Sequence, residues 1–340
     1  MLIFPCLLLI ITKNKGVINM NNLRKIGLSA LAGSLATFSV NAADMSVSGA
    51  ASITFDDTNR GKGARGNGFY MGDSIKFNAS GETDNGIGVA VYYEIDGAVF
   101  DDHNIKLTGD FGSITFDGHG GSSAFGAMDD KTPNAYEEAW DIIDTDGAGK
   151  TGSPTVINGG GGNNMWIYNS PSMGGAVLTV AYQNHASDLA ESYTDFGLTI
   201  SPEGIDGLTI GLAASDNTTN SGGNIDEDET TMYATYATGG FTFGVQASDR
   251  DHTTAQSDQE SIAYGITYAV NDDLSIGYSY HELDFESTSL LDQESTGISA
   301  SYTMGGMTLA GATNEVDNMN GSTTAANDVE GYEFTLSFAF

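Results

Sequence analysis

Apolar side chains recur at every second position over segments of about ten residues, and connections rich in Gly, Asp, Asn and Ser separate these segments. Near the C-terminus, Tyr332, Phe334 and Leu336 alternate with Glu333 and Thr335. A period of two places alternate side chains on opposite faces of a strand. About ten residues is also the length of a tilted strand that crosses a bilayer. The pattern therefore predicts strands with one apolar face and one polar face.

Sixteen such segments can be identified along the chain. They lie near 45–57, 71–82, 87–97, 103–109, 112–118, 164–170, 174–186, 191–200, 207–216, 229–238, 240–250, 259–270, 273–285, 293–304, 306–316 and 329–340. The connections alternate between long ones and short ones, and the short ones, such as Gly239-Gly240 and Gly305-Gly306, carry the residues of tight turns.

Two all-β architectures could use strands of this kind. In a water-soluble sandwich the apolar faces meet in a core, whereas in a membrane barrel they face lipid and the polar faces line a wet lumen. An even number of strands and the strict alternation of connections favour the barrel. We therefore predict an all-β, 16-stranded antiparallel transmembrane β-barrel with short periplasmic turns and long external loops. Its first strand should pair with its last, so that no edge is open to lipid.

The N-terminal region has the features of an export signal. A basic segment, 21–25, precedes an apolar segment of small residues, 26–40, and a small-x-small motif ends at Ala42. We predict a signal peptide over residues 1–42, cleaved after Ala42, and a barrel domain over 43–340.

The residues before Met20 are unusual, because Met20 alone could start a complete signal peptide. Residues 1–19 would then come from a start codon assigned too early, and the alternative is an extended signal peptide. Cys6, the sole cysteine, lies in this segment, so the exported part should use neither disulfides nor thiol chemistry.

The body of the chain is strongly acidic. Four of the twelve basic residues lie in the signal peptide, which leaves eight against 45 acidic residues, a net charge of −37. Such a chain should not bind the nucleic acid backbone. It should attract cations, and Ca²⁺ or Mg²⁺ could bind loosely at acidic loops. We expect no other cofactor.

The third long connection, 119–163, is a candidate functional loop, because long loops in compact proteins are usually functional or disordered. Apolar residues such as Tyr136 and Trp140 favour a folded loop over a solvated external one. Its candidate pore-lining acids are Asp129, Asp130, Glu137, Glu138 and Asp141.

Strand phase indicates which basic residues could face these acids. Lys76 and Lys106 alternate with outward apolar neighbours and should point into the lumen. Arg60 and Arg65 lie in the first connection and should reach the mouth. Opposed acidic and basic sides would set up a transverse field across a constriction. In the alternative interpretation, the two lysines form ordinary salt bridges to neighbouring strands.

The signal peptide, the sixteen strands, the long third connection and the terminal aromatics Phe334, Phe338 and Phe340 together resemble the general diffusion porins of Gram-negative bacteria. The resemblance covers the whole exported chain. It implies a homotrimer, a third loop that folds into the barrel and narrows the pore, and a last strand that the outer-membrane assembly machinery reads. The chain has fewer basic residues than the family's cationic wall uses.

We therefore expect an outer-membrane channel for passive diffusion of small hydrophilic solutes and ions, with a preference for cations. A substrate-specific channel is the first alternative, and a surface-displayed β-rich adhesin is the second. No nucleophile constellation is present and the five histidines lack metal-ligand spacing, so neither an enzyme nor a metal site is expected. The expected partners are solutes, ions, outer-membrane lipid, further copies of the chain and the assembly machinery.

Overall fold

The computed structural model describes residues 44–58, 68–97, 99–141, 154–184, 192–220, 224–254, 257–324 and 327–340. The predicted signal peptide lies outside the described residues. Among the described residues, no helix is both long and apolar enough to cross a membrane.

Sixteen antiparallel strands form a closed barrel. They are β1 (Asp44–Thr58), β2 (Phe69–Glu82), β3 (Gly88–Asp96), β4 (Val99–Gly109), β5 (Gly112–His119), β6 (Met165–Asn169), β7 (Ala176–Gln183), β8 (Tyr193–Ile200), β9 (Leu208–Asn220), β10 (Asn224–Thr238), β11 (Phe241–His252), β12 (Gln259–Ala269), β13 (Leu274–Phe285), β14 (Gln293–Met304), β15 (Met307–Asp317) and β16 (Val329–Ala339). Each strand pairs with its sequence neighbour. The predicted fold class is confirmed.

The barrel closes between the first strand and the last, as the sequence predicts. β1 and β16 pair from Ala50↔Ala339 to Thr58↔Gly331. The register continues beyond the strand end, because Phe340 and Gly49 exchange two backbone hydrogen bonds of 2.7 and 2.9 Å. Closure leaves every barrel strand paired on both sides along at least part of its length, which a lipid environment requires.

The connections differ in length at the two ends of the barrel. Those at one end are short, at 83–87, 110–111, 170–175, 201–207, 239–240, 270–273 and 305–306. Most of those at the other end are longer, and they include 120–164. The Gly239-Gly240 turn has φ of 57° and 87°. Positive φ at both central residues suits a two-residue hairpin turn, and glycine reaches it without strain.

Each strand presents two different faces. On β13, Ile276 and Tyr278 are exposed on the outside, whereas Ser279 and His281 are buried on the inside. Large apolar side chains are exposed in the same way all around the outer surface, which would be unfavourable in water and is favourable in lipid. The inner face is polar, so the predicted alternation is confirmed.

The end predictions were least accurate at three strands. The segment predicted at 103–109 begins at Val99, the segment predicted at 207–216 ends at Asn220, and the segment predicted at 229–238 begins at Asn224. These additions lie at the long-loop end, where the sequence no longer alternates strictly between apolar and polar residues, as in the adjacent Val99 and Phe100.

Candidate functional site

Loop 3, residues 120–164, leaves β5 and returns to β6 across the inside of the barrel. Its two arms begin with a short ladder that pairs Gly121 with Gly162 and Ser122 with Gly161. Residues 142–153 lie outside the described part. The described residues of the loop contact inward-facing residues of β8 and β11–β16.

The first anchor of loop 3 is a fully buried carboxylate, Asp195 on β8. It accepts backbone hydrogen bonds from Ala124 at 3.1 Å and Phe125 at 2.7 Å, and a hydroxyl hydrogen bond from Tyr193 at 2.9 Å. A buried charge is tolerable only when its lone pairs are satisfied by donors. Asp195 is satisfied in this way because the loop supplies its own backbone.

Amide side chains of the wall bind the loop backbone as another peptide group would. The Gln246 side chain on β11 donates to the Met128 carbonyl at 2.7 Å and accepts from the Lys131 N–H at 2.8 Å. Gln293 on β14 donates to the Thr155 carbonyl at 2.9 Å and accepts from its N–H at 3.1 Å. Each glutamine offers one acceptor and donors on one planar group, which matches a backbone N–H and C=O together.

Small inward residues make room for the loop. A Cβ added at Gly244 or Gly265 would overlap Pro133, and one added at Gly277 would lie 2.8 Å from the Ala135 nitrogen. The Ala135 N–H donates to the Ser299 hydroxyl at 3.0 Å. Four inward glycines on adjacent strands form what we call the loop seat; they are Gly244, Gly265, Gly277 and Gly297.

Apolar side chains complete the attachment. Phe125, Met128 and Ile157 of the loop pack with Leu283 of β13 and with inward residues of β9 and β10. Tyr136 packs against a separate cluster that includes Val316 on β15. Loop 3 is therefore folded and lies against the inner wall, and the solvated external loop is excluded for its described residues.

The five predicted pore acids lie on this loop, and their side chains remain partly or fully exposed. Glu137, Glu138 and Asp141 bring carboxylate oxygens within 4.8 Å of one another. The Glu138 carboxylate accepts from the Asn134 amide, and the Asp141 carboxylate accepts from the Glu138 N–H at 3.3 Å. The other two, Asp129 and Asp130, precede this group on the same arm.

Crowding affects the charge state of these acids. Burial, together with the charge of Asp130, raises the pKa of Asp129 to about 7. Burial and the charge of Asp141 raise the pKa of Glu137 to about 8. Burial and a hydrogen bond shared with Asp141 raise the pKa of Glu138 to about 9. The negative charge of the loop therefore increases as the pH rises through this range, because each group loses its proton above its pKa.

Loop 3 is also tied to the strands that close the barrel. The Tyr136 hydroxyl donates to one oxygen of Glu333 on β16, and the Tyr70 hydroxyl on β2 donates to the other at 3.2 Å. Glu333 is buried and inward-facing. This carboxylate links the loop to the last strand and to the second strand, across the closing seam.

The predicted wall bases Lys76 and Lys106 lie on β2 and β4, away from the strands that anchor the loop backbone. The Lys76 ammonium is 3.5 Å from the carboxylate of Glu94 on β3, which also accepts from Tyr92. Lys106 alternates with the outward Ile105 and Leu107, so it faces the lumen, and it is exposed. Arg60 and Arg65 lie outside the described residues.

Sequence reasoning missed a lumen cation on the wall. Arg250 on β11 faces inward and forms an ion pair with the buried Glu229 on β10, at 2.7 Å. It also donates to Gln259 at 3.2 Å. Strand phase could have found it, because Gln246 and Ser248 precede it on the same face. The pairing with Glu229 could not be read without the register.

The structure also brings together a group that sequence spacing did not suggest. His119 Nδ1 lies 3.3 Å from an Asp101 carboxylate oxygen and 3.6 Å from an Asp102 oxygen, at the long-loop end of β4 and β5. The histidine is 17 to 18 positions from the two acids, and only strand pairing makes them neighbours.

The predicted aromatics of the closing strand lie on the outer face. Phe334 and Phe338 alternate with inward residues of β16 and are exposed. Phe340 follows the strand, and its ring lies 2.7 Å from the position that a Cβ on Gly49 would take. A residue larger than glycine at position 49 would therefore displace the terminal ring.

Three comparisons relate the chain to known proteins. A family model described as Gram-negative porin matches residues 27–321. A search of curated proteins found no significant match. Solved structures share the fold at low identity, and three of them have TM-scores of 0.58 to 0.65.

An anion-selective porin from Comamonas acidovorans has a TM-score of 0.64 at 15% identity, over 88% of this chain and 100% of that chain. OmpT of Vibrio cholerae, in a trimer form, has a TM-score of 0.65 at 10% identity, over 88% and 100%. A variant of the Rh. blastica porin has a TM-score of 0.58 at 15% identity, over 87% and 100%. At these identities the likeness concerns the fold, and the family follows from the family model: the chain belongs to the Gram-negative porins, which are barrels of the outer membrane.

Proposed function

We propose that this outer-membrane porin is a water-filled channel through which small hydrophilic solutes and ions diffuse passively, with a preference for cations. The observation that carries the preference is the position of loop 3. Its backbone is bound to the inner wall by Asp195, Gln246 and Gln293, while the five predicted pore acids stay partly or fully exposed. The proposal assigns no catalytic role to any residue.

The physical basis is the field of fixed charges in a narrow aqueous path. A low-dielectric wall focuses that field and concentrates counter-ions, and rings of carboxylates select cations. In the described part of the lumen, the Lys76 and Arg250 charges are each paired with a glutamate. Lys106 is exposed, and Lys131 lies among the loop acids. The carboxylates therefore outnumber the cations.

The sign of selectivity is not a property of the fold. The Comamonas acidovorans porin is described as anion-selective and shares the barrel at 15% identity. We infer the opposite preference here, because the net charge of the exported part is −37 and loop 3 contributes seven acidic residues, five of which are the predicted pore acids. Loop carboxylates could also bind Ca²⁺ or Mg²⁺ loosely, since hard cations take oxygen ligands.

We further infer that the chain is a homotrimer and that the assembly machinery reads its last strand. The OmpT structure in a trimer form motivates the first inference. The second rests on Phe340, whose backbone continues the β1–β16 ladder through Gly49.

Phe340→Ala should reduce the amount of folded barrel in the outer membrane several-fold, because it removes an outward aromatic at the closing seam. Heat-modifiable gel migration of the extracted protein measures this. Phe100→Ala provides a control, since Phe100 is equally exposed but lies on β4. Equal yields of the two variants would contradict the inference.

Planar lipid bilayers test the channel itself. The purified protein should give stepwise conductance that rises with bath salt concentration, and a KCl gradient should give a reversal potential with the sign of cation preference. A weaker preference is expected at high salt, because the Debye length falls to about 3 Å at 1 M. A folded barrel that gives no conductance steps would overturn the proposal.

A further inference from the structure

Three buried polar atoms without a hydrogen-bond partner lie close together on the wall. Among the described residues, they are His281 Nδ1, Ser295 Oγ and Asn314 Oδ1. They stand on the inner faces of three consecutive strands, β13, β14 and β15. His281 and Ser295 are direct cross-strand partners, and Asn314 is the partner of Gly297, two residues from Ser295.

The same short segment of loop 3 covers this part of the wall. The Asn314 amide donates to the Glu138 carbonyl at 2.6 Å, and a Cβ added at Gly297 would lie 3.0 Å from the Ala139 Cα. The Trp140 ring packs on the His281 imidazole, with centroids 4.7 Å apart and planes at 56°. This segment carries Glu138 and adjoins the other two acids of the carboxylate group.

The contact between the Glu138–Trp140 segment and the wall is weaker than the other anchors of the loop. A buried polar group without a hydrogen-bond partner is unfavourable. Asp195, Gln246 and Gln293 each satisfy the loop backbone with paired hydrogen bonds. By contrast, the Glu138–Trp140 segment rests on a ring contact, one amide hydrogen bond and unpaired groups, so it should detach first.

Among the described residues of the neighbouring strands, no charged group faces His281. Its inward neighbours on β13 are Ser279 and Leu283, and its cross-strand partners on β12 and β14 are Ala263 and Ser295. The inward residues flanking these partners are Ser261, Gly265, Gln293 and Gly297, none of them titratable.

From the loop, Trp140 faces the imidazole. The nearest described acids in sequence are Glu138, whose carboxylate binds Asn134, and Asp141, whose carboxylate accepts from the Glu138 N–H. An imidazolium at this position would therefore be a buried charge with no described carboxylate of the wall to pair with it, which is unfavourable. Charging His281 should favour exposure of its ring to water, and that exposure requires Trp140 to move away from it.

We propose that His281 is a positioning residue for the constriction. Neutral His281 holds Trp140 against the wall and so fixes the Glu137–Asp141 carboxylates, and protonation of His281 releases the segment. The effect on conduction rests on the proposed channel function. The release of the Glu138–Trp140 segment from the wall requires only the folded barrel. Histidine is suited to this role because its ring is neutral or charged depending on pH, and burial disfavours the charged form.

Tryptophan fluorescence tests the release without any channel measurement. The chain has two tryptophans, and the other, Trp166, is half-exposed on the outer face of β6. Trp166→Phe therefore leaves Trp140 as the sole tryptophan. Its emission should shift to the red, and its quenching by acrylamide should increase about two-fold or more, as the pH falls from about 6 to about 3, a range in which Asp129, Glu137 and Glu138 are already protonated.

The same titration is then measured in Trp166→Phe with His281→Gln or His281→Phe, neither of which can become charged. Heat-modifiable migration confirms that each variant is folded. Both should keep the same Trp140 emission and quenching throughout the titration. The same pH response with and without His281 would overturn the proposal, because the loop carboxylates would then be the cause.

Single-channel recording separates this proposal from the proposed function. Channels with native His281 should close more often at low pH, and both His281 variants should lose that dependence. A His281-dependent change in fluorescence in a barrel that never conducts would overturn the channel and leave the release intact. Conducting channels whose Trp140 emission never responds to pH would overturn the release and leave the channel intact.

Discussion

The inner wall under loop 3 and the inner wall of β2–β5 carry different chemistry on the same architecture. Under the loop, the inward positions hold glycines of the loop seat and side chains that bind the loop backbone, such as Gln246 and Ser299. On β2–β5, the inward positions hold a charged network of Lys76, Glu94 and Tyr92. The first wall positions the loop, and the second wall carries charges into the lumen.

The difference shows how an acidic loop can be held inside a barrel. The wall under the loop binds main-chain N–H and C=O groups and apolar side chains, and the main-chain groups need partners when they are buried. It therefore makes few demands on the carboxylates, which remain partly or fully exposed. A wall that bound the acids themselves would neutralise the charge that the proposed selectivity needs.

Of the changes to these two walls, filling the loop seat should alter the channel most. Gly265→Val places side-chain atoms where Pro133 lies, so loop 3 must shift or detach. Overpacking of this kind costs roughly 1–3 kcal/mol. We expect single-channel conductance to change by about two-fold or more, since the loop occupies the lumen.

Gly81→Val on β2 is the matched control for Gly265→Val. A Cβ at Gly81 meets no atom within 4 Å, so this variant should conduct as the unmodified protein does. If both variants gave the unmodified conductance, the loop seat would not hold the loop in the conducting channel.

Glu333→Gln should alter the channel less than filling the loop seat does. It keeps the shape of the side chain but removes the charge that two tyrosine hydroxyls share, from Tyr136 and Tyr70. Hydrogen bonds to charged groups contribute about 1.5–3 kcal/mol. The tip of the loop should therefore fluctuate more, which appears as increased noise on the open-channel current.

Glu330→Gln removes the same charge from the exposed outer face of the same strand. The noise should rise only in the Glu333 variant. An equal rise in the two variants would mean that net charge, and not the anchor, controls the noise.

Of these changes, altering the wall of β2–β5 should affect the channel least. Lys76→Ala with Lys106→Ala removes two cations from the lumen, so the reversal potential in a KCl gradient should move further toward cation preference. The shift should be smaller than the change from the five loop acids, since two charges change instead of five. No shift would mean that these lysines lie outside the path of the ions.

The strands were predictable because lipid outside and water inside force alternation along each of them. The alternation of Ile276 and Tyr278 with polar residues therefore identifies the inward side of β13 from the amino-acid sequence. Closure through Phe340 was predictable for the same reason, since an unpaired edge is unfavourable in lipid.

The partners of the loop could not be predicted. Gln246, Glu333 and Asp195 look like any other polar residue on an inward face, because periodicity specifies the face and not what lies across from it. The Lys76–Glu94 pair needs the register of the β2–β3 hairpin, and uncertainty of a few residues at strand ends conceals that register. Arg250 is an exception, since strand phase alone places it in the lumen.

The central claim is that the loop 3 acids, held in the lumen, make the channel prefer cations. The direct test is the reversal potential in a KCl gradient of a variant in which all five become Asn or Gln; they are Asp129, Asp130, Glu137, Glu138 and Asp141. Its control neutralises five exposed acids of the short turns, namely Asp84, Glu203, Asp206, Asp272 and Asp273. The control should keep the native potential, and the loop variant should move toward zero. The native cation preference should also grow between about pH 6 and 9, because the raised pKa values of Asp129 and Glu137 delay their charging, and the loop variant should lose most of that growth. A loop variant with the native reversal potential at both pH values would contradict the account.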